Sequence, residues 1–280
     1  AYGALDLARL TASGRLVNGT GQVRAALAGR RGQAFELVTL AQVAPDRISV
    51  TGRGEVARRP LQLDSALVLT REDGGWRIAP TRVRFAGGRA TVSGRTGASP
   101  ELNADLQAMP MQVLDILWPN LGLGGSANGR LDYRWRGDQG QPSGRADLRI
   151  RGLTRAGLVL ASRPIDVGLA AALGGGKAAV RAVAVSDGRT IGRAQARFAP
   201  LPAGQPIVAA LANAPMVLQL RYAGPADTLW RLSGVEVFDL SGPVAIGADI
   251  GGRLVDPVIR GSLKARNARI ESAVTGMVVT

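Results

Sequence analysis

The chain has 280 residues and a formal net charge of +14 at pH 7, and it contains neither cysteine nor histidine. These absences exclude disulfides, thiol nucleophiles, zinc fingers and histidine-based proton relays. Aromatic residues make up only 4% of a chain that is 46% hydrophobic, which favours a thin or open architecture of medium-sized side chains over one thick core.

The positive charge is carried almost entirely by arginine, since Lys177 and Lys264 are the only lysines among 35 basic residues. A basic surface can attract nucleic acid or anionic lipid headgroups. The alternative is that the arginines only supply charge to the solvent-exposed faces of the strands. The arginines are spread through nearly every predicted strand and form no basic run. The second interpretation is therefore favoured, and we expect no nucleic-acid partner.

In chain order, the first hundred residues alternate apolar and polar positions at a period of two, which is typical of half-buried strands. The dipeptides Asn18-Gly19 and Asp73-Gly74 predict tight turns between strands, as does Asp187-Gly188 further along the chain. The predicted strands of this part lie at 5–7, 23–27, 35–43, 48–52, 61–63, 76–78, 81–85 and 90–92.

Two short helices interrupt this pattern. Met111, Leu114 and Trp118 are spaced three to four residues apart, and Pro110 and Pro119 bracket them, which predicts a helix near 110–118. A second helix is predicted near 225–231, beginning at Pro225. The longest uncharged stretch, residues 198–220, contains four prolines, and a membrane-spanning helix rarely tolerates so many.

The clearest strand is the stretch Gly129-Arg-Leu-Asp-Tyr-Arg-Trp-Arg-Gly137. Leu131, Tyr133 and Trp135 fall on one side of an extended chain, and the charged residues between them fall on the other. The same design returns at 145–151, 165–169, 194–198, 216–222, 244–250 and 261–266.

A repeat is visible at an offset of 115 residues. Pro110 and Pro142 match Pro225 and Pro257, and apolar positions between them match as well. Self-similarity at a fixed offset is typical of repetitive architectures. We expect one continuous elongated body with segments 1–100, 101–200 and 201–280. The chain starts at Ala1 and stops within a predicted strand at 278–280, so we interpret it as an internal piece of a longer protein.

Glycine-rich motifs for phosphate binding are incomplete. In Gly174-Gly-Gly-Lys177 the following Ala178 stands where a P-loop needs Ser or Thr. Gly19-Thr-Gly21 lacks the third glycine of a dinucleotide fingerprint, because Arg24 occupies that position. Both are interpreted as turns. The 21 acidic residues leave carboxylate catalysis open as an alternative, but most of them lie at outward strand positions or turns, so we expect no enzyme activity and no cofactor.

The collective signal is strand after strand with one apolar face. Two closed sheets would make this face an ordinary core, whereas a partly curled sheet would make it an open apolar groove. Composition is compatible with a closed core and with an open groove. Small inward residues such as Ala146, Ala248 and Ala265 favour the groove, because they leave space within it. The candidate groove residues are Val83, Phe85, Leu131, Tyr133, Trp135, Leu148, Ile150, Ile246, Ile250 and Leu263.

Several segments resemble the TamB family of the AsmA-like superfamily, in particular its alphaproteobacterial members. They are the stretch from Pro110 to Gly129-Arg-Leu, Ala223-Gly-Pro-Ala-Asp-Thr-Leu-Trp230, Asp239-Leu-Ser-Gly-Pro-Val244, Gly252-Arg-Leu-Val-Asp-Pro-Val-Ile-Arg-Gly261 and Arg266-Asn-Ala-Arg-Ile-Glu-Ser272. The resemblance covers most of the chain, and it is strongest over 100–280.

This resemblance implies an all-β fold, an elongated curled antiparallel sheet (a β-taco or repeating β-groove) with an apolar interior and a few short helices. It implies a periplasmic bridge that moves phospholipid between the inner and outer membranes, with no catalytic or metal residues. The family's inner-membrane anchor and the C-terminal domain that contacts the outer-membrane barrel TamA would lie outside this piece. The alternative function is a scaffold for outer-membrane barrel assembly through strand augmentation.

Overall fold

A computed structural model of the protein describes residues 6–118, 121–136, 140–157, 161–233, 238–267, 269–272 and 278–279. It divides the chain into two compact units, Ala1–Leu121 with Ser126–Gly137 (unit 1) and Gly122–Gly125 with Asp138–Thr280 (unit 2). Each is described by itself below. The predicted fold class is confirmed: the protein is nearly all-β, its strand pairs are antiparallel, and its helices are short.

Unit 1 is a strand meander that ends in a short helical segment. Its strands are β1 (Asp6–Val17), β2 (Thr20–Arg31), β3 (Gln33–Ala44), β4 (Arg47–Val56), β5 (Arg59–Leu63), β6 (Leu67–Glu72), β7 (Gly75–Phe85), β8 (Gly88–Arg95), β9 (Glu101–Pro110) and most of β10 (Leu123–Arg134). A 3₁₀ turn, Met111–Val113, continues into helix α1 (Leu114–Leu117). Sequential strands pair, except that β5 and β6 follow one another between β4 and β7, and each of them pairs with both of those strands.

Unit 2 repeats the meander with two helices. Its strands are β11 (Ser143–Arg155), β12 (Ile165–Gly174), β13 (Lys177–Ser186), β14 (Arg189–Phe198), β15 (Met216–Pro225), β17 (Pro243–Arg253) and β18 (Asp256–Ala265), and β16 (Phe238–Ser241), β19 (Arg269–Ser272) and β20 (Val278–Val279) form a small separate sheet. The helices are α2 (Ile207–Asn213) and α3 (Ala226–Ser233).

The turns follow the predicted chemistry. Asn18 and Gly19 have φ values of 50° and 76°, and Asp187 and Gly188 have 48° and 74°. Positive φ at both central residues matches the right-handed twist of a hairpin, and Asn, Asp and Gly tolerate it best. Gly175 likewise lies in a hairpin turn, between β12 and β13, with φ of 57°. The interpretation of the two glycine motifs as turns is therefore confirmed.

Register places apolar residues in rows across unit 1, since directly opposed residues share a face. One row runs from Val43 on β3 to Tyr133 on β10, and it bends at a glycine. The row consists of Val43, Ile48, Leu69, Ile78, Gly94, Leu102 and Tyr133. A Cβ at Gly94 would lie 2.0 Å from the carbonyl oxygen of Glu101. Glycine kinks of this kind allow a sheet to curl.

Helices occur where the sequence predicted two of them, with different bounds. The first begins after Pro110 as a 3₁₀ turn, and Pro119, expected to end it, lies outside the described residues. The second begins at Ala226, directly after Pro225, and continues to Ser233. Helix α2 was missed. Pro257 pairs with Gly252 at the start of β18, just after the turn at Leu254 and Val255.

The apolar face of unit 1 is closed at one end and open at the other. Phe85 is 1% exposed beneath the helical segment, whereas Leu102 on the same face is 40% exposed. Phe85→Ala should therefore lower the free energy of unfolding by about 3–5 kcal/mol, because it empties a packed site. Leu102→Ala should cost about 1 kcal/mol or less. Urea denaturation followed by circular dichroism checks this difference, and equal losses would show that the face is closed throughout.

Candidate functional site

The apolar face of unit 2, called the inner face here, is built from rows that cross its strands. The central row places Leu148, Leu169, Ala182, Ala194 and Leu220 in successive register positions on β11 to β15. We call these five residues the uncovered row. Each is half-buried, whereas the outward residues between them include exposed arginines such as Arg149 and Arg181. A continuous apolar surface is thus only partly removed from solvent.

The middle of this row is lined by small side chains. Ala182 and Ala194 lie on the two central strands, with Leu169 and Leu220 on the strands that flank them. Short side chains between longer ones leave a shallow trough. At about 4.8 Å per strand, the uncovered row is about 19 Å long. That length exceeds the roughly 15 Å that one leaflet contributes to a bilayer hydrocarbon core of about 30 Å.

Helix α2 covers the inner face on one side of this row. It follows Pro206, which provides no side-chain cap, and its Ile207 and Leu211 pack on the buried cluster of Phe198 and Met216. Ala214, just after the helix, is completely buried. The cap is therefore held mainly by apolar contacts.

Helix α3 covers the other side and is anchored by arginines. It packs Leu229 and Leu232 on a cluster that includes Tyr222. The Tyr222 hydroxyl donates to the carbonyl oxygen of Pro225 at 2.6 Å, directly before the helix. Burial raises the pKa of Tyr222, and the nearby Asp227 carboxylate raises it further.

Three arginines hold the two ends and the flank of α3. At its first turn, the buried Asp227 accepts a hydrogen bond from Arg163 at 2.8 Å. At its end, Arg155 donates to the carbonyl oxygen of Ser233 at 2.9 Å. A carboxylate in the first turn and a cation at the last carbonyls both suit the helix dipole. Arg231 and Asp239 form a bidentate pair that joins α3 to β16, at 3.1 and 2.5 Å.

The predicted groove residues of unit 2 all share the inner face. Leu148 belongs to the uncovered row, and Ile150 lies in the next row, which ends with Ile246 and Leu263. Ile246 packs against the α3 cluster and Ile250 against the α2 cluster. Leu263 is 66% exposed on β18.

Four of the predicted groove residues of unit 1, Val83, Phe85, Leu131 and Tyr133, share one face too, but not one environment. Val83, Leu131 and Tyr133 are half-buried, and burial raises the pKa of the Tyr133 phenol. Phe85 instead lies under the α1 cap, packed with Met109. Trp135 follows the end of β10, where its N–H donates to the Pro100 carbonyl.

The opposite face of unit 1 carries the charge, as the alternation predicted. Arg130 lies directly opposite Asp105 and pairs with it at 2.7 Å, and Arg134 pairs with Glu101 at 3.0 Å. Hydrogen bonds from Asn103 and Arg134 lower the pKa of Glu101. Part of the arginine content therefore serves cross-strand pairing on a solvated face.

Comparisons of the chain with protein-family models, with curated proteins and with solved structures gave no match. Within the part of the chain that the structure describes, every helix is too short to cross a membrane. Among the same residues, no group of three or more acidic, histidine or cysteine side chains is placed to hold a metal ion.

Sequence reasoning missed the anchors of the caps. Arg155, Arg163 and Arg231 were read only as solvated arginines, although each bonds α3 or its neighbours. A signal for α2 did exist, because Pro206 is followed by eight residues without a charge, a glycine or a proline. The four prolines of this stretch argue against a membrane-spanning helix, but they do not prevent a short helix after Pro206.

The pair of Arg231 and Asp239 makes the α3 cap sensitive to acid. The Arg231 guanidinium lowers the pKa of Asp239. A group with a lowered folded-state pKa stabilises the fold above its unfolded value, near 3.9, and that stabilisation is lost as pH falls through the folded value. We expect Asp239→Asn to reduce stability by about 1 kcal/mol above about pH 5, with the difference from the parent protein shrinking toward pH 2. Denaturant titrations across this range measure it, and a difference independent of pH would contradict the assignment.

Proposed function

We propose that the uncovered apolar face shields the acyl chains of phospholipid, and that the protein is a non-enzymatic lipid conduit of the TamB type. The observation that carries this proposal is the uncovered row. An apolar strip about 19 Å long lies half-buried between two helical caps. A contiguous apolar surface that stays partly accessible to solvent is a candidate interaction site in a folded protein.

The separation of charge from apolar surface supports the same function. In each unit most strand arginines alternate with the apolar rows and thus lie on the opposite face, whereas Arg155 and Arg231 hold the α3 cap. An acyl chain on the inner face would meet methyl and methylene groups without desolvating a guanidinium, which would be costly. Lipid headgroups would remain at the rim, in water.

In this proposal the chain works in the periplasm, tethered to the inner membrane by an anchor outside it. Phospholipid is its ligand, and a TamA-like barrel in the outer membrane is contacted by a domain that is also outside it. The sequence resemblance to the TamB family motivates this placement. The proposed lipid conduit requires neither a cofactor nor a nucleic-acid partner.

The second candidate function is a scaffold for barrel strands. All twelve residues of β1 and all ten of β18 are exposed. Exposed strands can offer N–H and C=O groups to an added strand. The lipid function is favoured, because the scaffold would use strand edges and would not require a strip of half-buried apolar side chains.

Site-specific photo-crosslinking tests the lipid proposal directly. A crosslinker at position 131 or 133 should capture phospholipid in cells, and one at position 134 should not, because Arg134 lies on the solvated face. In unit 2, positions 148 and 220 form the matched test against position 149. Capture at all positions would indicate non-specific membrane proximity, and capture at none would remove the conduit function.

A charge placed on the apolar face of unit 1 separates an open groove from a closed core. Leu131 is half-buried, so the long side chain of Leu131→Arg can extend toward solvent. The variant should fold with a loss below about 2 kcal/mol, yet block lipid delivery and weaken the outer-membrane barrier. In a closed core the unpaired charge would cost several kcal/mol.

Asp132→Arg, on the opposite face, is the matched control for Leu131→Arg. If Leu131→Arg unfolds the protein, position 131 belongs to a closed core. If it folds and the membrane barrier stays intact, the scaffold function is supported instead.

A further inference from the structure

A depression lies on the charged face of unit 2, opposite the inner face. It has a volume of about 670 Å³, within the range of small-molecule sites. Its floor comes from small residues in neighbouring register positions, Ala223 with Ala245 and Gly247 with Ser262. The depression exists because these four residues carry a short side chain or none, whereas the longer side chains of two arginines and a lysine surround them.

The lining of this depression is unbalanced in charge. Arg193, Arg221 and Lys264 contribute three cations, and Asp249 is the one carboxylate among its described lining residues. Arg193 and Arg221 are directly opposed on β14 and β15, an arrangement that is repulsive for like charges. Lys264 is one of only two lysines in the protein.

Arg221 is already oriented by the protein. Its Nη1 donates to the carbonyl oxygens of Leu220 at 2.9 Å and Ala248 at 3.1 Å, and its Nη2 reaches Asp249 at 3.3 and 3.4 Å. A Cβ at Gly247 would lie 3.8 Å from Arg221 Nε, so the Nε–H edge borders the floor of the depression. Within the described part of the chain, Arg193 has no ion-pair partner.

Unit 1 shows how the same chain neutralises such a pair. Arg77 and Arg95 are also directly opposed, on β7 and β8. There the two oxygens of Glu72 contact both guanidinium groups, Arg95 at 3.0 Å. In unit 1 a carboxylate therefore lies between two opposed arginines. No acidic residue of the described chain lies in this way between Arg193 and Arg221.

A smaller depression in unit 1 gives a second comparison. It has a volume of about 210 Å³, and its lining pairs the cations Arg82 and Arg89 with the acids Asp64 and Asp105. It carries no excess charge, so an added anion would gain little there. Not every depression on this face therefore carries excess positive charge, although one of about 490 Å³ at Arg24 and Arg53 also lacks a carboxylate.

From this geometry we infer that the depression formed by Arg193, Arg221, Gly247, Ser262 and Lys264 binds a phosphate-bearing ligand. The formal excess of two positive charges matches a phosphate monoester. One phosphate would bridge the two guanidinium groups as Glu72 does in unit 1, through charge-assisted hydrogen bonds. The Ser262 hydroxyl and the Lys264 ammonium are further donors. The ligand is either a soluble phosphate ester or the headgroup of an anionic lipid. This inference does not depend on the proposed function of the inner face.

Binding measurements on the whole chain test this inference, with glycerol phosphate as the soluble probe and phosphatidylcholine vesicles containing phosphatidic acid as the lipid probe. Isothermal titration and vesicle co-sedimentation give the affinities. Arg193→Gln and Arg221→Gln should each weaken binding about tenfold, the loss expected for one charged hydrogen-bonding group. Gly247→Leu should abolish binding, because the leucine side chain fills the floor of the depression while every charge is retained.

Arg149→Gln is the matched control, because Arg149 is an exposed arginine on the charged face of β11 outside the depression. It should change the affinity less than twofold. If the soluble probe binds, a free phosphate ester is sufficient as the ligand. If only the vesicles bind, the ligand is a lipid headgroup. Both results support the site. Equal weakening by Arg149→Gln, unchanged binding in Gly247→Leu, or no binding of either probe would overturn it. Circular dichroism of each variant separates lost binding from lost folding.

Discussion

The hydrogen-bond register between antiparallel strands is the constraint on which the other features depend. Side chains alternate at a period of two, and directly opposed residues share a face. A slip of one residue in any pairing would move every apolar side chain of that strand to the charged face. Because the register holds from β11 to β15, Leu148, Leu169, Ala182, Ala194 and Leu220 become neighbours although 72 residues separate the first from the last.

The register produces two faces with opposite chemistry, and the helices decide how much of the apolar one stays open. Cap α2 is held by apolar packing around Phe198 and Met216. Cap α3 is held by apolar packing and also by ion pairs and hydrogen bonds from Arg155, Arg163 and Arg231. The two caps therefore differ in their response to acid and salt, since only α3 depends on carboxylates. Between them the uncovered row remains the apolar surface for which we propose an acyl-chain ligand.

The charged face is more than a solubilising surface. In unit 1, Glu72 neutralises an opposed arginine pair, and Asp105 and Glu101 pair with Arg130 and Arg134. In unit 2, Arg193 and Arg221 oppose each other beside a floor of small residues. Placing like charges opposite one another costs stability, and an external anion would offset that cost. One protein can thus present an apolar site and an anionic-ligand site on opposite faces of the same strands.

The amino-acid sequence by itself determined most strands of the meander, the turns at Asn18 and Asp187, and the two helices after Pro110 and Pro225, because each of these rests on local periodicity or backbone preference. It also determined which residues share a face. Only the tertiary structure decided that Phe85 lies beneath a cap while Leu148 does not, and that α2 covers part of the apolar face. It alone brought Arg193, Arg221, Gly247 and Ser262 together from four strands. The reason is that cross-strand neighbours are set by register between distant segments, and periodicity within one segment carries no information about them.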